Sequence, residues 1–305
     1  MKILLDCDPG LDDAVALLAI LTSPRFEILA ITTVAGNVSG EQTALNARII
    51  RTLAEAEDVP VHAGASRPLL REPVTAEDFH GTTGLGGLVL PEPGAALSQG
   101  HAVNALINYI QAARGEPLTL IMTGPMTNVA IALRMAPEIK TGLKEIILMA
   151  GGSKVGGNIT PYAEFNVFAD PHAASIVFKS GVPIRCLSLD VTHNIRTTEA
   201  RLEQVRSVGT ELARYAADFL QASCELEFKA TGIGAAPLHD PSTVIALAGP
   251  HLFKGERVNV DVILEPGERF GHTDITYTEE GSVLWCQTAD VDGVYETLCS
   301  LIGGG

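Results

Sequence analysis

The chain has 305 residues, 46% hydrophobic and 19% charged, with a formal net charge of −15 at pH 7. This composition is globular, leaves room for a large core and excludes a disordered chain. The acidic surplus, with no basic run anywhere, argues against nucleic acid as a partner, because phosphate binding needs clustered Lys and Arg.

The five cysteines (Cys7, Cys186, Cys224, Cys286 and Cys299) are scattered and form no C-x-x-C, so neither a zinc knuckle nor a redox pair is signalled. Asp6 interrupts any secretory h-region after "MKILL". No apolar run approaches the roughly 18 residues that a membrane span requires. The expectation is a soluble, cytoplasmic protein with no membrane partner.

In chain order, "KILLD" is a short apolar run ending in acid, which suits a buried parallel strand, and "DDAVALLAILTS" follows as a helix. "FEILAITTVAGN" repeats the strand pattern, and "EQTALNARIIRTLAEAE" is a second amphipathic helix. "GASRPLLREPVTAEDFHGTTGLGGLVLPEPGAALSQG" is a long irregular segment, of a length usually tied to function or disorder. Strands are predicted at "LTLIMTG", "KEIILMAGG" and "PIRCLSLD". Helices are predicted at "HAVNALINYIQAAR", "NVAIALRMA", "PHAASIVFKS" and, as one long element, "ARLEQVRSVGTELARYAADFLQASCELEF". "RVNVDVILE", "HTDITYT" and "SVLWCQT" read as strands, some antiparallel, before a last helix near "GVYETLCSLI". The alternation predicts one α/β domain over residues 1–305: an open, Rossmann-like, mostly parallel sheet flanked by helices, with a few antiparallel strands near the C-terminus.

Chemistry concentrates in "DCDPGLDD", where Asp6, Asp8, Asp12 and Asp13 fall within eight positions around a Pro-Gly turn. Ligands bind just beyond the carboxyl ends of parallel strands, and Asp8 sits at that place. A helix N-terminus stabilises a nearby negative charge by only about 0.3–1 kcal/mol, too little for several converging carboxylates. Either some are protonated or a divalent cation lies between them, and oxygen-only ligands favour Ca²⁺ or Mg²⁺ over zinc. Taken singly, Asp12 could be no more than a helix cap and Asp6 a satisfied strand end.

"DCDPGLDDAVAL" resembles the signature of the inosine-uridine nucleoside hydrolases, calcium-dependent N-ribohydrolases. The resemblance runs on through "TTVAGN", "HGTTGLGG", "TGPMTNVA", "LMAGG", "GNITPYAEFNVFADPHAA" and "LHDP", in the family's order. It implies a metal held by Asp8, Asp13, the carbonyl of Thr123 and Asp240, with Ca²⁺ ahead of Mg²⁺. "DPST" at Asp240 is also an ordinary helix start, and "DPHAA" at Asp170 has the same form. His239 before Asp240, and the family's order, select Asp240.

The resemblance further implies a nucleoside substrate, with ribose recognised by Asp12, Asn37, Asn158, Glu164 and Asn166, and Met149 beside them. Asp8 would be the general base and His239 the general acid for the leaving base, with His80 the second candidate. The other histidines, His193 among them, read as structural or surface residues. Pyrimidine-preferring members tend to carry Gln and Tyr near the end of the helix before the H-D pair, where this chain has Glu227 and Thr231. Purine-restricted members stack the base on tryptophan, yet the single Trp285 lies in a predicted core strand. Cleavage of both inosine and uridine is expected, in nucleoside salvage, by a homodimer or homotetramer.

Two other readings compete. A haloacid dehalogenase-type phosphatase also ends a strand in D-x-D, but needs a hydroxyl residue soon after it, where Pro9-Gly10 stand here. A metal-dependent ribose- or nucleoside-binding protein without turnover could keep the fold, but would have no need of Asp8 and His239.

Overall fold

The computed structural model describes residues 1–76, 81 and 83–304. The first strand, β1 (Lys2–Cys7), lies centrally, flanked by parallel β2 (Glu27–Thr33) and β4 (Leu118–Met122). β3 (Val61–Ala63) extends the sheet beyond β2, while β5 (Leu143–Leu148) and β6 (Ile184–Cys186) extend it beyond β4. Three further strands complete a nine-stranded sheet of order β3-β2-β1-β4-β5-β6-β9-β7-β8: β7 (Phe253–Val262), β8 (Thr273–Tyr277) and β9 (Val283–Ala289). β9 runs parallel to β6, and β7 is antiparallel to both β8 and β9. The mostly parallel sheet with an antiparallel C-terminal edge agrees with the expected fold class.

Alternation along the strands divides the core into two layers, because successive side chains point to opposite faces. Ile3, Leu5 and Cys7 pack with α1 (Leu11–Leu21) and with helices from the C-terminal half. Leu4, Leu120 and Leu148 face the other way, onto α3 (Ala102–Ala112), α4 (Thr127–Met135) and α6 (Pro171–Phe178). Between β2 and β3 runs α2 (Gly40–Leu53), capped by Ser39. α5 (Phe165–Ala169) is a single short turn between β5 and α6.

Two predicted elements change. "PIRCLSLD" is a strand only over Ile184–Cys186; Ser188 then opens a helical turn, α7 (Leu189–Thr192), which the apolar run conceals. The long predicted helix is two, α8 (Glu199–Arg206) and α9 (Glu211–Thr231). They part at Gly209, which takes φ 77°, and Thr210 caps the second by accepting from Ala213 N at 3.1 Å. α10 (Pro241–Ala248) and α11 (Val291–Ile302) complete the helices. The long segment at 64–100 contains no helix or strand among its described residues. None of the described helices is long and apolar enough to cross a membrane.

Candidate active site

Strand order reverses at β1, with β2 and β3 to one side and β4 to β6 to the other. Such a switch point opens a crevice beyond the carboxyl ends of the strands. Asp8 follows β1, Asn37 follows β2, Thr123 follows β4 and Met149 follows β5, so four strand ends deliver four of the predicted residues to one place. Asn46 holds the Pro-Gly turn from α2, donating Nδ2 to Pro9 O and Thr83 O, each at 2.8 Å.

Asp8 is fully buried. Its Oδ2 accepts from Asn37 N at 2.7 Å and its carbonyl from Asn37 Nδ2 at 3.0 Å, while Oδ1 has no hydrogen-bond partner. Two glycines make room for it. A Cβ on Gly36 would lie 2.0 Å from Asp8 Oδ2, and one on Gly124 would lie 2.7 Å from Oδ1. Asp13, in the first turn of α1, accepts from Thr123 Oγ1 at 2.6 Å, Gly10 N at 3.0 Å and Asn37 Nδ2 at 3.1 Å.

The two D-P helix starts behave differently. Asp170 caps its own helix, accepting from Ala173 N at 3.0 Å, and ties in Leu69 N and Thr127 Oγ1 at 2.8 Å each. Asp240 makes no capping bond to its helix. That end is capped from outside, by Asp12 Oδ2, which accepts from His239 N at 2.8 Å and Asp240 N at 3.2 Å. Asp12 is therefore a cap, but of α10 rather than of its own helix, and its Oδ1 is a buried atom without a partner. The Asp240 carboxyl lies instead among the charges of Asp13, Asp12 and Asp8, which after burial push it up.

The second cluster follows β5. Glu164 caps α5, accepting from Asn166 N at 2.9 Å, Gly151 N at 2.9 Å and Val167 N at 3.2 Å. Asn166 Nδ2 bridges two strand ends, donating to Thr123 O at 2.7 Å and Met149 O at 3.0 Å. Asn158 is exposed and accepts from Phe165 N at 2.9 Å.

Burial pushes the carboxyls of Asp8, Asp13 and Asp240 above their usual range, and their mutual repulsion adds to it for Asp8 and Asp240. Asp12 is pushed up to about 7 and Glu164 to about 6, both by burial first. Carboxyls brought together in this way are eased either by protons or by a cation among them. Among the described residues no group of three or more His, Cys, Asp or Glu side chains forms a metal cluster by itself. The fit to a divalent cation rests on the donors: buried oxygens only, an unpartnered Asp8 Oδ1 and a glycine cradle around it. Asp8, Asp13, Asp240 and the Thr123 carbonyl could hold such an ion.

A cavity of about 540 Å³ opens above these groups. Asp12, Asn37, Thr123, Met149, Asn158 and Glu164 line it, together with Asn166, Glu227, Thr231, His239 and Asp240. Asp8 and Asp13 are bonded to its wall through Asn37 and Thr123. His80 lies outside the described residues. Trp285 is fully buried and donates Nε1 to Asp190 Oδ2 at 2.8 Å, so the core reading holds.

Two lining residues with titratable side chains, His193 and Arg196, escaped the sequence reading. His193, read there as structural or surface, enters the wall with its ring 5.8 Å from that of His239, whose Nδ1 meets Thr192 Oγ1 at 2.8 Å. Burial and the nearby Arg196 hold the His193 imidazole below its ordinary value. Arg196 pairs with Glu227, Nη1 to Oε1, at 3.5 Å. Both come from the segment after α7, whose helical turn was read as strand; the only signal was "HNIR" following a strand end.

Residues 3–296 match the family described as inosine-uridine preferring nucleoside hydrolase, which is generally metal-dependent. A pyrimidine-specific ribonucleoside hydrolase, RihA, of Salmonella enteritidis is 42% identical over 254 residues, 83% of this chain and 81% of its own. An uncharacterized Schizosaccharomyces pombe protein is 39% identical over 99% of both chains. Among solved structures, the purine-preferring ribonucleoside hydrolase from Gardnerella vaginalis superposes with a TM-score of 0.92 at 30% identity, covering 100% of this chain and 98% of its own. The crevice at the switch point, its buried acids and these likenesses agree: the chain belongs to the inosine-uridine preferring nucleoside hydrolases, enzymes that hydrolyse N-glycosyl compounds.

Proposed function

We propose that this enzyme hydrolyses the N-glycosidic bond of ribonucleosides of the inosine and uridine class, giving ribose and the free base. It would do so as one domain over 1–305, in a homodimer or homotetramer serving nucleoside salvage. Five unpaired thiols suit a reducing compartment, which supports the cytoplasm. The observation that carries the reading is Asp8: a fully buried carboxylate with an unpartnered oxygen, bonded to Asn37 of the cavity wall.

In this reading the Asp8 carboxylate accepts the proton of the attacking water, whose oxygen bonds to the sugar C1′ as the C1′–N bond breaks. Asp12 Oδ1 accepts from a ribose hydroxyl, while its Oδ2 stays bound to the amides of α10. Asn37, Asn158, Glu164 and Asn166 shape the sugar's place beside Met149. Positive charge develops on the sugar ring, and surrounding carboxylates stabilise it. His239 gives the departing base its proton, with His80 the second candidate for that transfer. Ca²⁺, ahead of Mg²⁺, held by Asp8, Asp13, Asp240 and the Thr123 carbonyl, would orient the sugar diol and make water more acidic. Glu227 and Thr231 stand at the base end.

The test incubates purified protein with inosine and with uridine, before and after EGTA, and measures released ribose. Ribose from either, lost with chelator and restored by calcium, is expected. A folded, calcium-replete protein that releases none, yet binds nucleoside, would be the non-catalytic binding protein instead.

A further inference from the structure

Residues 64–76 form no helix or strand, yet they are tied to the fold at several points. Ala65 N donates to Asn128 Oδ1 of α4 at 2.8 Å, and Leu69 N to Asp170 Oδ2 at 2.8 Å. At the far end Ala76 lines the cavity, and its N donates to the Asn37 carbonyl at 3.0 Å. Between Leu69 and Ala76 the link is the side chain of Arg71. Its guanidinium carbon lies 4.1 Å from the centroid of the Phe168 ring and 5.5 Å from that of Phe270, and its Nη1 donates to the Phe168 carbonyl. The two rings meet edge-on at 6.3 Å, and His172 packs on Phe270 at 6.4 Å. Burial in this socket works against the charge of Arg71, and nearby Asp170 favours it. Phe168 belongs to the site: its N donates to Glu164 O at 2.8 Å, in the turn α5 that brings Glu164 and Asn166 into the cavity wall. Arg71 thus joins two stretches of one wall.

We infer that Arg71 is a positioning residue for the sugar: by clamping its segment to Phe168, it fixes the wall at Ala76 and Asn37 relative to Glu164 and Asn166. The inference rests on the nucleoside reading above. Arg71 is not among the residues that line the cavity, so it acts through the backbone it holds. A guanidinium suits the task, because its flat face lies on an aromatic ring while its edge donates to a carbonyl. Without it, the segment keeps its bonds at Leu69 and Ala76 but loses the fastening between them. Binding must then order the wall as well as the ligand, which weakens affinity. The contact is the same before and during bond cleavage, so its loss raises KM and leaves kcat nearly unchanged. Inosine and uridine carry the same ribose, and both are affected alike.

The experiment measures kcat and KM for inosine and uridine, by released ribose, in calcium-loaded wild type, Arg71→Ala, Phe168→Leu and the double variant. Arg71→Ala is expected to raise KM about tenfold for both substrates, the worth of one hydrogen bond, with kcat within about threefold of wild type. Phe168→Leu removes the ring but keeps the carbonyl, so it should raise KM by about threefold. It also carries the test if Arg71→Ala fails to fold. The double variant should be no worse than Arg71→Ala, because the two side chains act through one contact. Unchanged KM in the single variants, or effects that multiply in the double variant, would overturn the inference. A lower melting temperature with KM unchanged would do so too, since that marks a merely structural contact. Calorimetric titration with ribose needs no turnover: Arg71→Ala is expected to bind it about tenfold more weakly, and equal affinity would overturn the clamp. A wild type that releases no ribose, yet binds it more tightly than Arg71→Ala, would sink the hydrolase reading and leave the clamp standing.

Discussion

At the scale of single residues, the site depends on side chains that are missing as much as on those present. Gly36 and Gly124 do not serve positive-φ turns; each is needed because Asp8 occupies the space of its side chain. Gly36→Ala puts a methyl 2.0 Å from Asp8 Oδ2 and 2.7 Å from Pro125 Cδ, both well inside contact distance. The carboxylate must swing away and lose its bond to Asn37 N. The expected result is loss of turnover by about 100-fold or more, in the range for a misplaced catalytic group, with the far-UV circular dichroism of wild type. Unchanged kcat in a folded Gly36→Ala protein would show that Asp8 placement is not critical. Burial contributes as well: an unpartnered carboxylate oxygen buried among other acids calls for an explanation, and a bound cation would supply one.

At the scale of elements, the cavity wall is a set of loops pinned by buried acids. Asp190 in α7 accepts from Ser153 N at 3.2 Å, Lys154 N at 2.8 Å and Val155 N at 3.0 Å, and from the indole of Trp285 at 2.8 Å. It thus joins the loop after β5 to β9. Asp190→Ala leaves a buried indole N–H and backbone amides unpaired, and should destabilise the fold by about 2–4 kcal/mol. Trp285 is the only tryptophan, so its fluorescence reports the change directly in urea unfolding; a midpoint equal to wild type would mean that water replaces the carboxylate. This linkage was not legible in the sequence, because strand periodicity hid the helical turn that carries Asp190. The strands other than the three-residue β3, the helices with strong 3.6-residue periodicity and the first carboxylate string were legible, since each depends on local pattern; β3 is too short to show one. The choice of Asp240 over Asp170 was open on chemistry alone, and family order decided it. In the structure the difference is that Asp12 caps the helix of Asp240, a contact between residues 228 positions apart. The break at Gly209 was missed because residues on both sides keep helical periodicity.

At the scale of the whole molecule, the buried acids link stability to pH and to a cation. Burial raises Asp6 and Asp12 to about 7 and Glu164 to about 6, against ordinary values near 4. A carboxyl whose folded pKa lies above its unfolded value holds a proton more tightly in the folded state. Its contribution to stability is complete below the unfolded pKa and is lost as pH rises through the folded one. For these groups the window runs from about pH 4 to pH 7, and the raised Asp8, Asp13 and Asp240 act in the same direction. A cation among them opposes this loss, because it favours the ionised form and binds only the folded chain. The EGTA-treated protein should therefore melt at a lower temperature at pH 8 than at pH 5.5, and the rise on adding calcium should be larger at pH 8. With roughly 2–4 °C per kcal/mol for a chain near this size, a difference of several degrees is within reach of calorimetry. A calcium-induced rise that is the same at both pH values would mean that the ion is held without displacing protons from these carboxyls. A chelated protein that gains stability toward pH 8 would show that these acids are not protonated in the folded state.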